Sequence, residues 1–147
     1  MSGKIDVHRI GCTGENIAAN MLVKKGFEIV CRNYHTRYGE IDIIARNEKY
    51  IVFAEVKTRH TMSKRSGVQA VTLTKQRRII LSALYWRKNN PTKLHPRFDV
   101  IVVDYDRRTN SLINIRHIEA AFDAQRYDID GYDPYRNNSG GYGGYYY

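Results

Sequence analysis

Apolar positions follow two rhythms along this chain. Between residues 13 and 25, Ile17, Ala18, Met21 and Leu22 recur at helical spacing, which predicts an amphipathic helix with Thr13 as cap and Gly26 as stop. Residues 27–34, 38–46 and 50–57 are dense in Ile, Val, Phe and Tyr and are parted by polar turns, Asn47-Glu48-Lys49 among them. They predict three consecutive strands. A polar loop over 60–66 leads to a second helix that begins between Ser66 and Thr74. Ser66-x-x-Gln69 has the form of a capping box, and Thr74 offers a later start. Leu73, Ile80, Leu81 and Leu84 are read as its apolar face, and Asn89-Asn90-Pro91 as its end. The near-continuous apolar run 98–103 suits a strand covered on both sides. A further strand over 112–116 and a short closing helix over 117–125 complete the pattern.

The order α-β-β-β-α-β-β-α predicts an α/β domain, a central mixed sheet flanked by helices, spanning residues 1–126. Beyond it the composition changes. Residues 127–147 hold seven of the twelve tyrosines and five of the eleven glycines, too little packing material for a core, so a disordered Gly/Tyr-rich tail is expected. No apolar run approaches the roughly 20 residues that span a bilayer, and the first ten residues lack the apolar stretch of a signal peptide. A cytoplasmic protein with no membrane partner is the expectation. Cys12 and Cys31 have no motif spacing, and none of the five histidines complements them as zinc ligands.

Charge changes the picture. The net charge is +9, and the tail sets one arginine against Asp128, Asp130 and Asp133, so the domain itself is the more basic part. From Val56 to Phe98 there is no Asp or Glu, against eleven Lys and Arg residues. A merely solvated surface mixes signs, because neighbouring opposite charges support each other. A stretch of one sign repels itself and predicts a polyanionic partner, nucleic acid first.

The candidate chemistry lies just before and inside this stretch. Alternation puts Glu40, Asp42 and Ile44 on one face of the second strand, and Ile51, Phe53, Glu55 and Lys57 on one face of the third. With one short turn between them the strands can pair, which brings Asp42 near Glu55. Two converging carboxylates repel unless a cation lies between them, and hard oxygen donors suit Mg²⁺ or Mn²⁺. Lys57, two residues beyond Glu55, can orient or help deprotonate an attacking water. An isolated E-x-K is common. The set with Glu15 on the first helix and Asp42 on the preceding strand is more specific.

These residues carry a resemblance. Gly39-Glu40-Ile41-Asp42-Ile43-Ile44-Ala45 followed by Val52-Phe53-Ala54-Glu55-Val56-Lys57-Thr58-Arg59 resembles the YraN-type family of uncharacterised bacterial proteins, as do Gly14-Glu15-x-x-Ala18, Arg32-Asn33, Lys75 and Arg97-Phe98-Asp99-Val100. That family is similar to the PD-(D/E)XK nuclease superfamily, near the archaeal Holliday-junction resolvases. The resemblance implies a restriction-endonuclease-like core of order α-β-β-β-α-β. It implies Asp42, Glu55 and the Val56 carbonyl as metal ligands, Lys57 as the catalytic lysine, and Glu15 as an assisting acid acting through a second metal or an ordered water. Ile41 stands where the superfamily has proline, and the second helix lacks the Gln-x-x-x-Tyr of RecB-like exonucleases.

Two functions follow as expectations. One is an Mg²⁺- or Mn²⁺-dependent endonuclease acting on DNA, branched or structured DNA included. The other is a non-catalytic nucleic-acid-binding module of the same fold, working in DNA repair, recombination or uptake. RNA is not excluded as the polymer. Arg59, Lys64, Arg65, Gln69, Lys75 and Arg78 are the candidates for phosphate contact. A homodimer would suit a two-fold symmetric junction.

Overall fold

A computed structural model describes the backbone of residues 7–60, 71–106, 108–109 and 111–124, with side chains from Thr13 onward. Helix α1 (Val7–Lys24) leads into strands β1 (Glu28–Thr36), β2 (Gly39–Arg46) and β3 (Tyr50–Arg59), then helix α2 (Leu73–Asn89), and strands β4 (His95–Asp106) and β5 (Ser111–Phe122). The strands form one mixed sheet in chain order. All neighbours are antiparallel except β3 and β4, which run parallel across the α2 connection. This is the expected α-β-β-β-α-β core with one strand added.

The two helices cover opposite faces. Ala18, Ala19 and Leu22 of α1 pack on Ile43, Ala45, Val52, Ala54, Ile101 and Val103. Ile79, Ile80, Ala83, Leu84 and Trp86 of α2 pack on Ile44, Ile51, Phe53, Val100 and Val102. Strands β3 and β4 are therefore buried on both sides, which is why they read as unbroken apolar runs. Phe53 stacks on Phe98 at 5.7 Å, Phe98 on Phe122 at 5.3 Å, and Trp86 meets Phe53 edge-on at 5.8 Å.

Several expected boundaries move. Helix α1 starts at Val7, so Thr13 and Gly14 lie inside it. Gly14 is there for closeness rather than as a break: a Cβ at that position would collide with Thr58 Oγ1 of β3. The chain leaves α1 through Gly26 at φ +91°, as its place after the helix suggests. Thr72 caps α2, its hydroxyl accepting from the Lys75 N–H at 3.1 Å, between the two proposed starts, and the Ser66–Gln69 box lies outside the described residues. The inner face of α2 is Gln76, Ile79, Ile80, Ser82, Ala83, Leu84 and Trp86. Leu73 is exposed and Leu81 only half-buried, because the face turned to the sheet runs through Gln76, Ile79, Ile80 and Ala83.

Residues 117–122, expected to open a closing helix over 117–125, are strand instead. Strand β5 continues to Phe122, which stacks on Phe98. The local pattern of 117–122 fits a helix, but tertiary anchors override it. Asp99 accepts from His117 Nε2 at 2.7 Å and from the Ala120 N–H at 3.0 Å, and Ala120 takes a left-handed φ of +49° where the ladder is irregular. Among the described residues no helix is long and apolar enough to cross a membrane. The tail, residues 127–147, lies outside the described residues.

Candidate functional site

The site begins where β2 and β3 part. Their ladder runs from Arg46 opposite Ile51 to Ile43 opposite Ala54 and stops there. The N–H of Val56 then donates to Asp42 Oδ2 at 2.8 Å. The aspartate thus takes the place of a main-chain partner. In a strand the N–H and C=O of one residue leave toward the same neighbour, so the Val56 carbonyl faces this gap too. Alternation along β2 is disturbed here: Ile41 belongs to the α2-side core together with Ile44, whereas Ile43 lies on the α1 side. Strict alternation, which grouped Glu40, Asp42 and Ile44, describes only the paired half of the strand.

Glu55 is 4% exposed, and its Oε2 is sealed from solvent with no hydrogen-bond partner among the described residues. Its Oε1 lies 3.6 Å from Lys57 Nζ and 3.7 Å from Lys75 Nζ. Burial, and then the charge of Asp42, push the Glu55 carboxyl up to about 8, against the opposing pull of the two lysines. Asp42 is also raised by burial, with hydrogen bonds from the Val56 N–H and the Glu55 carboxyl opposing. Two acids this dehydrated and this close do not both ionise readily without a further positive charge.

Glu15 reaches the rim of the pair because Gly14 lets α1 sit directly on β3. Its carboxyl is raised by burial and by Asp42, with Arg32 and Asn33 opposing. Arg32 Nη2 lies 3.9 Å from Glu15 Oε2. A regular strand would point Arg32 and Asn33 to opposite faces. A bulge between Ile29 and Cys31 and the left-handed φ of Asn33, +50°, allow both to address one acid. On the α2 side, His35, Thr36, Gly39, Glu40, Lys75 and Arg78 line an open cleft of about 270 Å³. Glu40 is an exposed partner of His35 at 3.2 Å and Lys75 at 3.9 Å.

The donor set is oxygen only: two carboxylates and a carbonyl. Among the described residues no group of three or more His, Cys, Asp and Glu could hold a metal ion, so Glu15 does not complete a three-carboxylate centre. A pair with one unsatisfied buried oxygen nevertheless fits a hard divalent cation, since Mg²⁺ commonly takes one or two carboxylates and fills the rest with water and phosphate. Thus Asp42, Glu55, Val56, Lys57, Lys75 and Glu15 converge as the sequence suggested. Arg78 stands on the cleft wall. Arg59 does not join them: its Nε is bound to Asp104 Oδ1 at 2.9 Å and its side chain is 14% exposed, so it serves β4 rather than presenting a free guanidinium. Lys64, Arg65 and Gln69 lie outside the described residues. His35 and Thr36 escaped the sequence reading, since a histidine and a threonine before a hairpin turn carry no motif, and so did Arg116 on β5.

A family model described as "Uncharacterised protein family UPF0102" matches residues 14–103, from the glycine that seats α1 to the middle of β4. A UPF0102 protein of Lachnoclostridium phytofermentans is 44% identical over 116 residues, 78% of this chain and 92% of the relative. One from Syntrophotalea carbinolica is 40% identical over 124 residues, 84% and 94% of the two chains. One from Caldanaerobacter subterraneus subsp. tengcongensis is 38% identical over 120 residues, 81% and 98%. With a family model across the whole site and relatives matched over nearly their full length, the chain belongs to the protein family UPF0102.

Proposed function

We propose that this chain is a divalent-metal-dependent phosphodiesterase acting on nucleic acid, DNA first, with an endonuclease mode on structured or branched DNA. The observation that carries the reading is the carboxyl pair itself: Glu55 is buried under a basic rim within hydrogen-bonding reach of Asp42, and no N–H among the described residues donates to its Oε2. A purely structural acid at that depth is normally satisfied by hydrogen bonds or an ion pair. Asp42, Glu55 and the Val56 carbonyl would hold Mg²⁺ or Mn²⁺, which supplies Lewis-acid stabilisation of charge on a phosphoryl group. Lys57 stands beside Glu55 and orients the attacking water. Lys75 leans over the same carboxylate from α2 and, with Arg78 on the cleft wall, takes the phosphate backbone. Glu15, steadied by Arg32, sets the field at the pair from the opposite helix.

The test is cleavage of linear, single-stranded, flap and four-way-junction DNA with Mg²⁺ and with Mn²⁺, wild type against Glu55→Ala, Asp42→Ala and Lys57→Ala. Metal-dependent cleavage that each substitution abolishes is the expected result, with binding kept or tighter in the two acid variants and modestly weaker in Lys57→Ala. Because such residues act as a unit, a double substitution should be scarcely worse than a single one. Tight binding with no cleavage of any substrate would leave the non-catalytic nucleic-acid-binding module in its place, a reading favoured by the long stretch from Val56 to Phe98 without an acid.

A further inference from the structure

The ladder pairs Lys57 with Val102, and Val102 with Arg116. The three residues therefore stand abreast across β3, β4 and β5. Val102 is part of the α2-side core, and directly paired residues point to the same side of a sheet. Ile118, two residues further along β5, packs against that same core. Arg116 thus rises on the face that carries Glu55 and Lys57, two strand spacings from Lys57, or roughly 10 Å. It is half-buried, and its Nη2 is sealed from solvent with no hydrogen-bond partner among the described residues.

A buried guanidinium N–H without an acceptor forfeits its hydration with no return. The acids near it are committed elsewhere. Asp104, opposite Asn114 on β5, is bound by Arg59, and Glu55 faces Lys57 and Lys75. On this face Glu40 and Glu55 engage Lys75, Glu55 also engages Lys57, and Asp104 engages Arg59, which leaves Arg116 on the β5 side with no acid paired to it among the described residues. We propose that Arg116 and Lys57 form an oxyanion subsite for a phosphodiester of the bound strand, adjoining the phosphate at the carboxylate pair. A planar, always-charged guanidinium suits a phosphate with two free oxygens. The subsite rests on the nucleic-acid reading above. It adds to it a second phosphate contact, on the β5 side of the carboxylate pair.

The experiment uses the full chain in two arms. In the first, the arginine Nε–Hε resonances of the wild type are assigned and followed while inorganic phosphate is titrated. A saturable shift of the Arg116 resonance supports the subsite, and an unmoved Arg116 resonance overturns it. In the second, duplex DNA binding is measured over a range of salt for wild type, Arg116→Gln, Arg116→Lys and Lys75→Glu, each with a thermal melt. Arg116→Gln should bind about tenfold more weakly, with the log–log salt slope smaller by roughly 1, while Arg116→Lys keeps the slope. Unchanged affinity and slope in Arg116→Gln would remove Arg116 while leaving the nucleic-acid reading intact, provided Lys75→Glu still weakens binding. If wild type binds no nucleic acid, that reading falls, and the phosphate arm alone decides whether Arg116 holds an oxyanion.

Discussion

Glu55 and Asp99 lie one register step apart in the paired central strands, since Ala54 faces Asp99 and Glu55 faces Val100. They point to opposite faces of the sheet and are treated in opposite ways. Asp99 is fully buried, and Arg97 grips it through two N–H groups at 2.9 and 2.8 Å, with His117 and the Ala120 N–H completing its shell. Burial alone would raise its carboxyl. The hydrogen bonds from His117, Arg97 and Ala120 outweigh that and hold it below the usual range. Glu55 is about as buried, keeps one oxygen unsatisfied, faces another acid and is pushed up to about 8. One acid fastens β5 to β4. The other withholds stability from the fold, the pattern expected of a functional site.

The comparison breaks if the two acids respond alike to substitution. Asp99→Asn should destabilise the protein by about 3–5 kcal/mol, because Arg97 would lose its buried counter-charge. Urea denaturation at pH 7 measures it, and a loss under about 1 kcal/mol would deny Asp99 its fastening role. Glu55→Gln should act in the other sense, through pH. An acid raised in the folded state favours folding while protonated and costs stability as pH climbs from its ordinary value, 4.5, through about 8. Within that window Glu55 should subtract at most roughly 1.4 kcal/mol of stability for each pH unit climbed, and Glu55→Gln should flatten the decline. For Asp99 the sign reverses: its contribution is lost as pH falls through its lowered value, below 3.8.

Two smaller effects sharpen the contrast. Mn²⁺ should raise the melting temperature by an amount worth about 1–3 kcal/mol at a large excess over its dissociation constant. The gain should be greater at pH 8 than at pH 5, where protons compete for the carboxylates, and should vanish in Asp42→Asn. An equal gain in Asp42→Asn would take that residue off the ligand set. Smallest is Ala120→Gly, which relieves the left-handed backbone at φ +49° and should be neutral or stabilising by up to about 1 kcal/mol. A clear destabilisation would mean that the Asp99 shell depends on the alanine methyl.

Much of this was legible in the chain. Helix α2 ends at Asn89, before Pro91, as the sequence suggests. The turn at Asn47 forms through its own side chain, which accepts from the Lys49 and Tyr50 N–H groups. Glu55 and Lys57 share a face because β3 is regular. What escaped were features that depend on a distant partner. Gly14 shows no packing role until Thr58 lies against it. Residues 117–122 have a helical look until Asp99 and Phe98 claim them. Arg59 reads as a free cation until Asp104 is beside it. Arg116 carries no motif, and only the ladder registers place it abreast of Lys57.

The sequence by itself determined the element order as far as β5, the two-sided burial of β4, the basic character of the domain and the residue types at the site. Each of these is written in spacing and composition, which act over a few residues. The tertiary structure alone decided which acids are satisfied. Asp42 and Glu55 differ from Asp99 less in residue type than in the number of hydrogen-bond donors within reach of each carboxylate. That number is set by where two strands part, by a bulge in β1 and by the irregular end of β5. Those are decided by packing across the sheet, over separations that local periodicity does not record.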